Sequence, residues 1–103
     1  MSDIRYLQEY LKQKDHHPER VKDYFLKLTE EVGELSRAIQ KGLPHNAQNE
    51  IKNTIDKELW DVIYYVLVIA NCYGIDMEHA IQLKDDLNNQ RYASGILYQP
   101  PKR

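Results

Sequence analysis

Apolar residues recur along the chain at intervals of three and four, which is the period of an amphipathic α-helix. The longest such stripe predicts a helix from about Pro18 to Lys41, with Val21, Phe25, Leu28, Val32, Leu35 and Ile39 along one face. Pro18 suits the first turn of this helix, and Gly42 suits its end. No stretch alternates apolar and polar residues between turn signals, so the pattern predicts no β-sheet.

Three further helices are predicted on the same grounds, with the ranges Asp3–Lys14, Ile51–Tyr73 and Asp76–Tyr92. The segment 43–50 is polar and is predicted to be a loop. Residues 1–92 then form one helical domain, and residues 93–103 form an irregular tail. Because short loops join the helices, we expect an all-α fold, an antiparallel bundle of about four helices.

The third predicted helix has no polar face between Val62 and Ala70. A helix that is apolar all round must be covered on all sides, and a small bundle has too little material to cover it. We therefore expect a homodimer or a dimer of dimers with this helix at the interface. The stretch is far shorter than the roughly 20 residues of a spanning helix, so no membrane partner is expected.

Composition narrows the functional classes. The chain has 103 residues, of which 42% are hydrophobic and 29% charged, and its formal net charge is −2. This balance argues against binding a nucleic acid polymer mainly through phosphate neutralisation. The single cysteine, Cys72, cannot form an internal disulfide or hold a structural zinc ion alone. The N-terminus shows no signal-peptide pattern, so we expect a cytoplasmic protein.

Two pairs of acidic residues have the same spacing of three. Glu31 and Glu34 lie on the second predicted helix, and Glu58 and Asp61 lie on the third. If these helices pack antiparallel, the pairs can face each other, and a divalent cation would relieve their repulsion. Oxygen ligands favour Mg²⁺ or Mn²⁺ over zinc. Spacing alone equally allows ordinary solvated surface acids.

Further polar residues extend this candidate site. Tyr65 follows Asp61 by one turn, where it can contact a ligand or simply place its hydroxyl in water. On the fourth helix, Lys84, Asn88 and Arg91 form one polar stripe. Such groups suit a polyphosphate, although a solvated face has the same pattern. The chain has no Glu-x-x-His pair for a di-iron centre and no phosphate-binding loop.

The residues 30–35 (EEVGEL) and 58–61 (ELWD) resemble the EExxE…ExxD signature of the MazG-like nucleoside triphosphate pyrophosphohydrolases. The later segment 84–92 (KDDLNNQRY) is similar to the KxxxNxxRY element of that family. The resemblance implies an all-α, oligomeric enzyme that cleaves a nucleoside triphosphate between its α and β phosphates. It resembles the short single-domain members, because the signature occurs once.

The resemblance also implies roles for individual residues. Mg²⁺, or Mn²⁺ in its place, would be held by Glu31, Glu34, Glu58 and Asp61. Glu30 would hold a second metal or orient the water. The nucleotide would be contacted by Lys27, Tyr65, Lys84, Asn88 and Arg91. Two alternatives remain open, namely a phosphoribosyl-ATP pyrophosphohydrolase and a non-catalytic helical dimer that uses the acids as a metal-binding or interaction surface.

Overall fold

The computed structural model describes residues 3–92 and 95–100. Its helices are α1 (Asp3–Lys14), α2 (Val21–Lys41), α3 (Ile55–Cys72) and α4 (Met77–Tyr92), with a 3₁₀ turn at Pro18–Arg20 before α2. The described residues contain no strand, and the all-α prediction is confirmed.

Two predicted helix starts are wrong by a few residues. Pro18 begins the short 3₁₀ turn, and α2 itself starts at Val21. The third helix starts at Ile55 because the Thr54 side chain caps it, accepting a hydrogen bond from the Lys57 backbone N–H at 3.2 Å. Asn53 precedes this cap with a positive φ of 62°, which a helix cannot continue.

Helices α2 and α3 form an antiparallel hairpin. The Ile55 N–H donates to the Pro44 carbonyl at 3.0 Å, which holds the start of α3 near the end of α2. At the other end of the hairpin, the Tyr24 ring of α2 lies 6.4 Å from the Tyr65 ring of α3. Residues early in α2 therefore meet residues late in α3, and the middle of α2 meets the first turns of α3.

Helix α1 packs on this hairpin through the core. Leu11 and Val68 are fully buried, and Tyr24 and Leu67 complete the buried cluster. Partly buried residues surround the cluster, namely Ile4, Leu7, Tyr64, Tyr65, Ile69, Cys72 and Met77.

Only about half of the apolar stripe predicted for α2 is covered by other parts of the chain. Tyr24 and Ala38 are buried, but Phe25, Val32 and Ile39 keep 56%, 49% and 58% of their surface exposed. The apolar positions span a wide arc of the helix, and α3 covers one flank of it. Helix α3 likewise exposes part of its apolar surface, at Leu59, Ile63 and Val66, and Tyr73 directly after the helix is exposed as well. The single chain therefore does not bury α3 on all sides.

The chain bends sharply between α3 and α4, and hydrogen bonds from Gln8 join the start of α4 to α1. The buried amide of Gln8 donates to the Ile75 carbonyl at 2.8 Å and accepts from the Met77 N–H at 2.9 Å. Asp76 caps α4 through a hydrogen bond from the Glu78 N–H at 3.0 Å. In the segment 95–100, which forms neither helix nor strand, the Tyr98 hydroxyl donates to Glu78 at 2.7 Å.

Among the described residues, no single helix has the length and apolar composition to cross a membrane. Helix α3 and the Met77–Gln90 part of α4 meet those criteria only as a pair bent by 98°.

A half-buried carboxylate, that of Asp15, ties α1 to the hairpin. Asp15 follows α1 and accepts hydrogen bonds from the hydroxyls of Tyr24 at 2.7 Å and Tyr64 at 2.6 Å. Partial burial raises the pKa of Asp15, but the two hydroxyl donors outweigh it, so the net pKa is below the usual value. Asp15 thus connects α1, α2 and α3 through its charged form.

Replacing Asp15 by Asn is expected to lower the free energy of unfolding by about 1.5–3 kcal/mol at pH 7, because hydrogen bonds to a charged acceptor are lost. A lowered folded-state pKa stabilises the fold above the unfolded pKa, and this contribution disappears as the pH falls through the folded pKa. The difference between wild type and Asp15→Asn in urea unfolding should therefore shrink below about pH 4. The exposed Asp23→Asn is the control, and an equal loss in both variants would contradict the role of Asp15.

Candidate active site

Three carboxylates converge where the middle of α2 crosses the first turns of α3. Glu31 comes from α2, and Glu58 and Asp61 come from α3. One oxygen from each side chain lies within 4.8 Å of the others. We call this group the acidic triad. The antiparallel hairpin creates it, because the period of each helix directs these residues toward the facing helix.

The donor set of the acidic triad fits a divalent cation. All three residues offer carboxylate oxygens, which are the ligands that Mg²⁺ and Mn²⁺ prefer. One oxygen of Glu58, Oε2, is buried and has no hydrogen-bond partner among the described residues. Burying a charged oxygen without a partner is costly, so this atom points to a cation as the missing partner.

The electrostatic surroundings of Glu31 also reflect the crowding of carboxylates in the acidic triad. The pKa of Glu31 is raised, first by burial and then by the negative charge of Asp61, while the nearby Lys57 ammonium partly opposes the rise. Glu58 and Glu34 raise it further. The neighbouring carboxylates therefore disfavour the charged form of Glu31.

Lys57 contacts the acidic triad and was not among the residues singled out from the sequence. Its Nζ lies 2.6 Å from Asp61 Oδ2 and 3.4 Å from Glu58 Oε1. Hydrogen bonding to Asp61 is the main cause of its raised pKa. The signal for this contact was present in the sequence, because Lys57 precedes Asp61 by four residues on one helix.

The other two predicted acids lie beside the acidic triad, outside it. Glu34 is half-exposed, and its Oε1 lies 3.4 Å from Arg37 Nη1. Glu30 is exposed, and its Oε2 lies 3.5 Å from Lys27 Nζ. The structure thus brings together three of the four predicted metal ligands, with Glu34 close enough to raise the pKa of Glu31.

Tyr65 lies between the acidic triad and the tyrosines around Asp15. Its ring centre is 4.9 Å from that of Tyr64, with the planes at 73°. Burial raises the pKa of the Tyr65 hydroxyl, Lys27 opposes the rise, and the charges of Glu31, Asp15 and Asp61 add to it. The Tyr65 hydroxyl is therefore close enough to Lys27 and to Glu31 and Asp61 for their charges to act on it.

The polar residues of α4 lie in a different part of the chain. Lys84 and Asn88 line a shallow groove on α4 together with Met77 and Ile81. Helix α4 packs mainly on α1, and α2 makes no extensive contact with it in the described part of the chain. The fold of one chain does not bring Lys84 and Asn88 to the acidic triad, and the side chain of Arg91 lies outside the described residues.

Together, the fold and the site define an all-helical protein whose central hairpin carries an oxygen-only candidate cation site. Comparison with known families places residues 19–91 in the MazG nucleotide pyrophosphohydrolase domain. The chain therefore belongs to the MazG family, and it is a nucleotide pyrophosphohydrolase.

Solved structures agree with this assignment. The chain is 42% identical to Ntag-iMazG from Vibrio DAT 722, with a TM-score of 0.81 over 87% of this chain and 97% of that one. The crystal structure of Ctag-iMazG from the same source is also 42% identical, with a TM-score of 0.79 over 86% of this chain and 99% of that one. The comparison with curated proteins gives no significant match.

Proposed function

We propose that this enzyme hydrolyses a nucleoside or deoxynucleoside triphosphate between its α and β phosphates, in a reaction that depends on Mg²⁺. The products are the monophosphate and pyrophosphate. The observation that carries the proposal is the acidic triad with its unpartnered Glu58 oxygen. Mn²⁺ is the expected substitute, because it shares the preference for oxygen ligands.

Glu31, Glu58 and Asp61 would hold the cation, and Glu34 would join them by leaving Arg37. When bound, the cation supplies charge neutralisation for the phosphates and a lowered pKa for water. The α2–α3 hairpin would position the reactants, and Glu30, next to Glu31 in the sequence, would orient the water or hold a second ion. Phosphoryl chemistry depends mostly on such positioning and charge stabilisation.

Tyr65 is proposed to contact the nucleotide because the charges of Glu31 and Asp61 act on its hydroxyl, and Lys27 because its charge acts on the same hydroxyl. Lys84, Asn88 and Arg91 are proposed to bind phosphate or sugar from a neighbouring subunit, because α4 packs away from α2 within one chain. This arrangement makes assembly a requirement for a complete substrate site.

A homodimer or dimer of dimers is proposed as the working form. The support is apolar surface left open on the central hairpin, on both α2 and α3, at Phe25, Val32, Ile39, Leu59, Ile63 and Val66. An extended set of exposed apolar side chains is typical of an interface between subunits.

Ile63→Glu is expected to shift the protein from oligomer to monomer, because it places a charge within this apolar surface. Light scattering after size exclusion measures the molar mass. Gln13→Glu adds the same charge at an exposed polar position on α1 and should leave the mass unchanged. An Ile63→Glu protein with the wild-type oligomeric mass would place the interface elsewhere.

Pyrophosphate release tests the proposed reaction. The assay compares the eight common ribo- and deoxyribonucleoside triphosphates, with dUTP and inosine triphosphate added, under Mg²⁺, Mn²⁺ or EDTA. We expect release with the metals and none with EDTA, and the ranking of rates identifies the substrate. A preference for non-canonical or surplus nucleotides would support a role in cleaning the cytoplasmic nucleotide pool. Turnover of phosphoribosyl-ATP alone would favour that alternative substrate.

A further inference from the structure

Lys57 occupies a position that helix stability does not explain. It is the third residue after the Thr54 cap, in the first turn of α3, where the helix dipole favours negative charge. Its pairing with Asp61 also has the less favourable order, with the basic residue N-terminal to the acidic one. A residue that breaks two local rules of helix formation is more often explained by function.

The contacts of Lys57 are made to two of the three carboxylates of the acidic triad. Its ammonium lies 2.6 Å from Asp61 Oδ2 and 3.4 Å from Glu58 Oε1. The lysine side chain is 42% exposed, whereas the side chains of Glu58 and Asp61 are only 13% and 27% exposed. The lysine can therefore swing into solvent on its flexible stem, while the carboxylates are held by the hairpin.

A divalent cation bound to the acidic triad would lie close to the Lys57 ammonium. Magnesium binds carboxylate oxygen at about 2.0–2.1 Å, so an ion on Asp61 Oδ2 would lie no more than about 5 Å from Lys57 Nζ in its observed place. Two positive charges at that separation repel, and they compete for the same oxygens. Cation binding and the observed Lys57 contacts therefore oppose each other.

We propose that Lys57 is an internal counter-ion of the acidic triad, which competes with the divalent cation and is released toward the phosphates of the substrate once the cation binds. The inference rests on the proposed metal-dependent function. A released ammonium beside the cation is a mobile point charge with three donors, which suits a phosphate group. Before the cation binds, Lys57 would neutralise part of the negative charge of the acidic triad. After the cation binds, Lys57 would contribute to substrate binding.

Calorimetric titration of the assembled protein with Mn²⁺ tests the competition without any turnover. Lys57→Gln is expected to bind the ion roughly three- to tenfold more tightly than wild type, because no ion pair has to be broken first. Lys52→Gln removes the same charge from an exposed position five residues earlier and should change the affinity less than about twofold. Lys57→Arg keeps the charge and should not tighten binding.

A second titration, with inorganic pyrophosphate at saturating Mn²⁺, tests the release. Lys57→Gln is expected to bind pyrophosphate several-fold more weakly than wild type, in contrast to its tighter binding of Mn²⁺. Lys52→Gln should bind pyrophosphate as wild type does. Unchanged or weaker Mn²⁺ binding by Lys57→Gln would overturn the counter-ion role. Unchanged pyrophosphate binding would overturn the release toward phosphate. If wild type binds no Mn²⁺ at all, the proposed function fails instead.

Discussion

Asp61→Asn is expected to reduce pyrophosphate release by more than about 100-fold while the fold survives. Loss of a residue that merely supports a metal ligand typically costs 10- to 100-fold, and Asp61 is proposed to be a direct ligand of the cation. The substitution keeps the size of the side chain and removes one of three crowded negative charges. Folding should therefore be retained, as measured by circular dichroism and thermal melting in EDTA.

Asp23→Asn is the matched control for this experiment, because Asp23 is exposed in the first turn of α2 and remote from the acidic triad. It should keep the wild-type rate. Glu34→Gln belongs in the same series, and we expect it to lose activity if Glu34 leaves Arg37 to join the ligands. Wild-type rates for Asp61→Asn would show that the site has been assigned to the wrong residues.

Leu11→Ala is expected to lower the free energy of unfolding by about 2–5 kcal/mol, which is the usual cost of emptying a fully buried leucine site. Leu11 is the residue by which α1 enters the core next to Val68, so the cavity would lie between α1 and the hairpin. Against a total stability of about 5–15 kcal/mol, this is a large fraction.

Urea unfolding at one fixed protein concentration measures the loss, since the apparent stability of an oligomer depends on concentration. Tyr6→Ala on the same helix is the control, because the Tyr6 side chain is 61% exposed and its removal should change stability by no more than about 0.5 kcal/mol. Similar losses for both variants would mean that α1 is not anchored through Leu11.

The fold was largely predictable because most of its helices start and end at residues that are typical of helix ends. The range Asp3–Lys14 matches α1, and Gly42 ends α2 in the left-handed conformation, with φ at 66°. Thr54 was missed as the start of α3, although its hydroxyl is a typical cap. The flank of α2 that packs on α3 was not predictable, because Phe25, Val32 and Ile39 continue the apolar pattern past the buried arc.

The acidic residues of the candidate site were predictable from the sequence, but the placement of α4 relative to them was not. Spacing on two facing helices is enough to bring Glu31, Glu58 and Asp61 together. The start of α4 is held instead by the buried amide of Gln8, through hydrogen bonds with Ile75 and Met77 that are tertiary contacts. Periodicity within α4 therefore could not reveal that the helix of Lys84 and Asn88 packs on α1 and makes no extensive contact with α2 in the described part of the chain.

The acidic triad is proposed to hold the cation for cleavage between the α and β phosphates. Phosphorus NMR of the reaction with the best triphosphate from the panel tests this claim directly. We expect equal amounts of monophosphate and pyrophosphate with Mg²⁺, and unchanged triphosphate in EDTA or with Asp61→Asn. Formation of diphosphate and orthophosphate, or full turnover in EDTA, would contradict it.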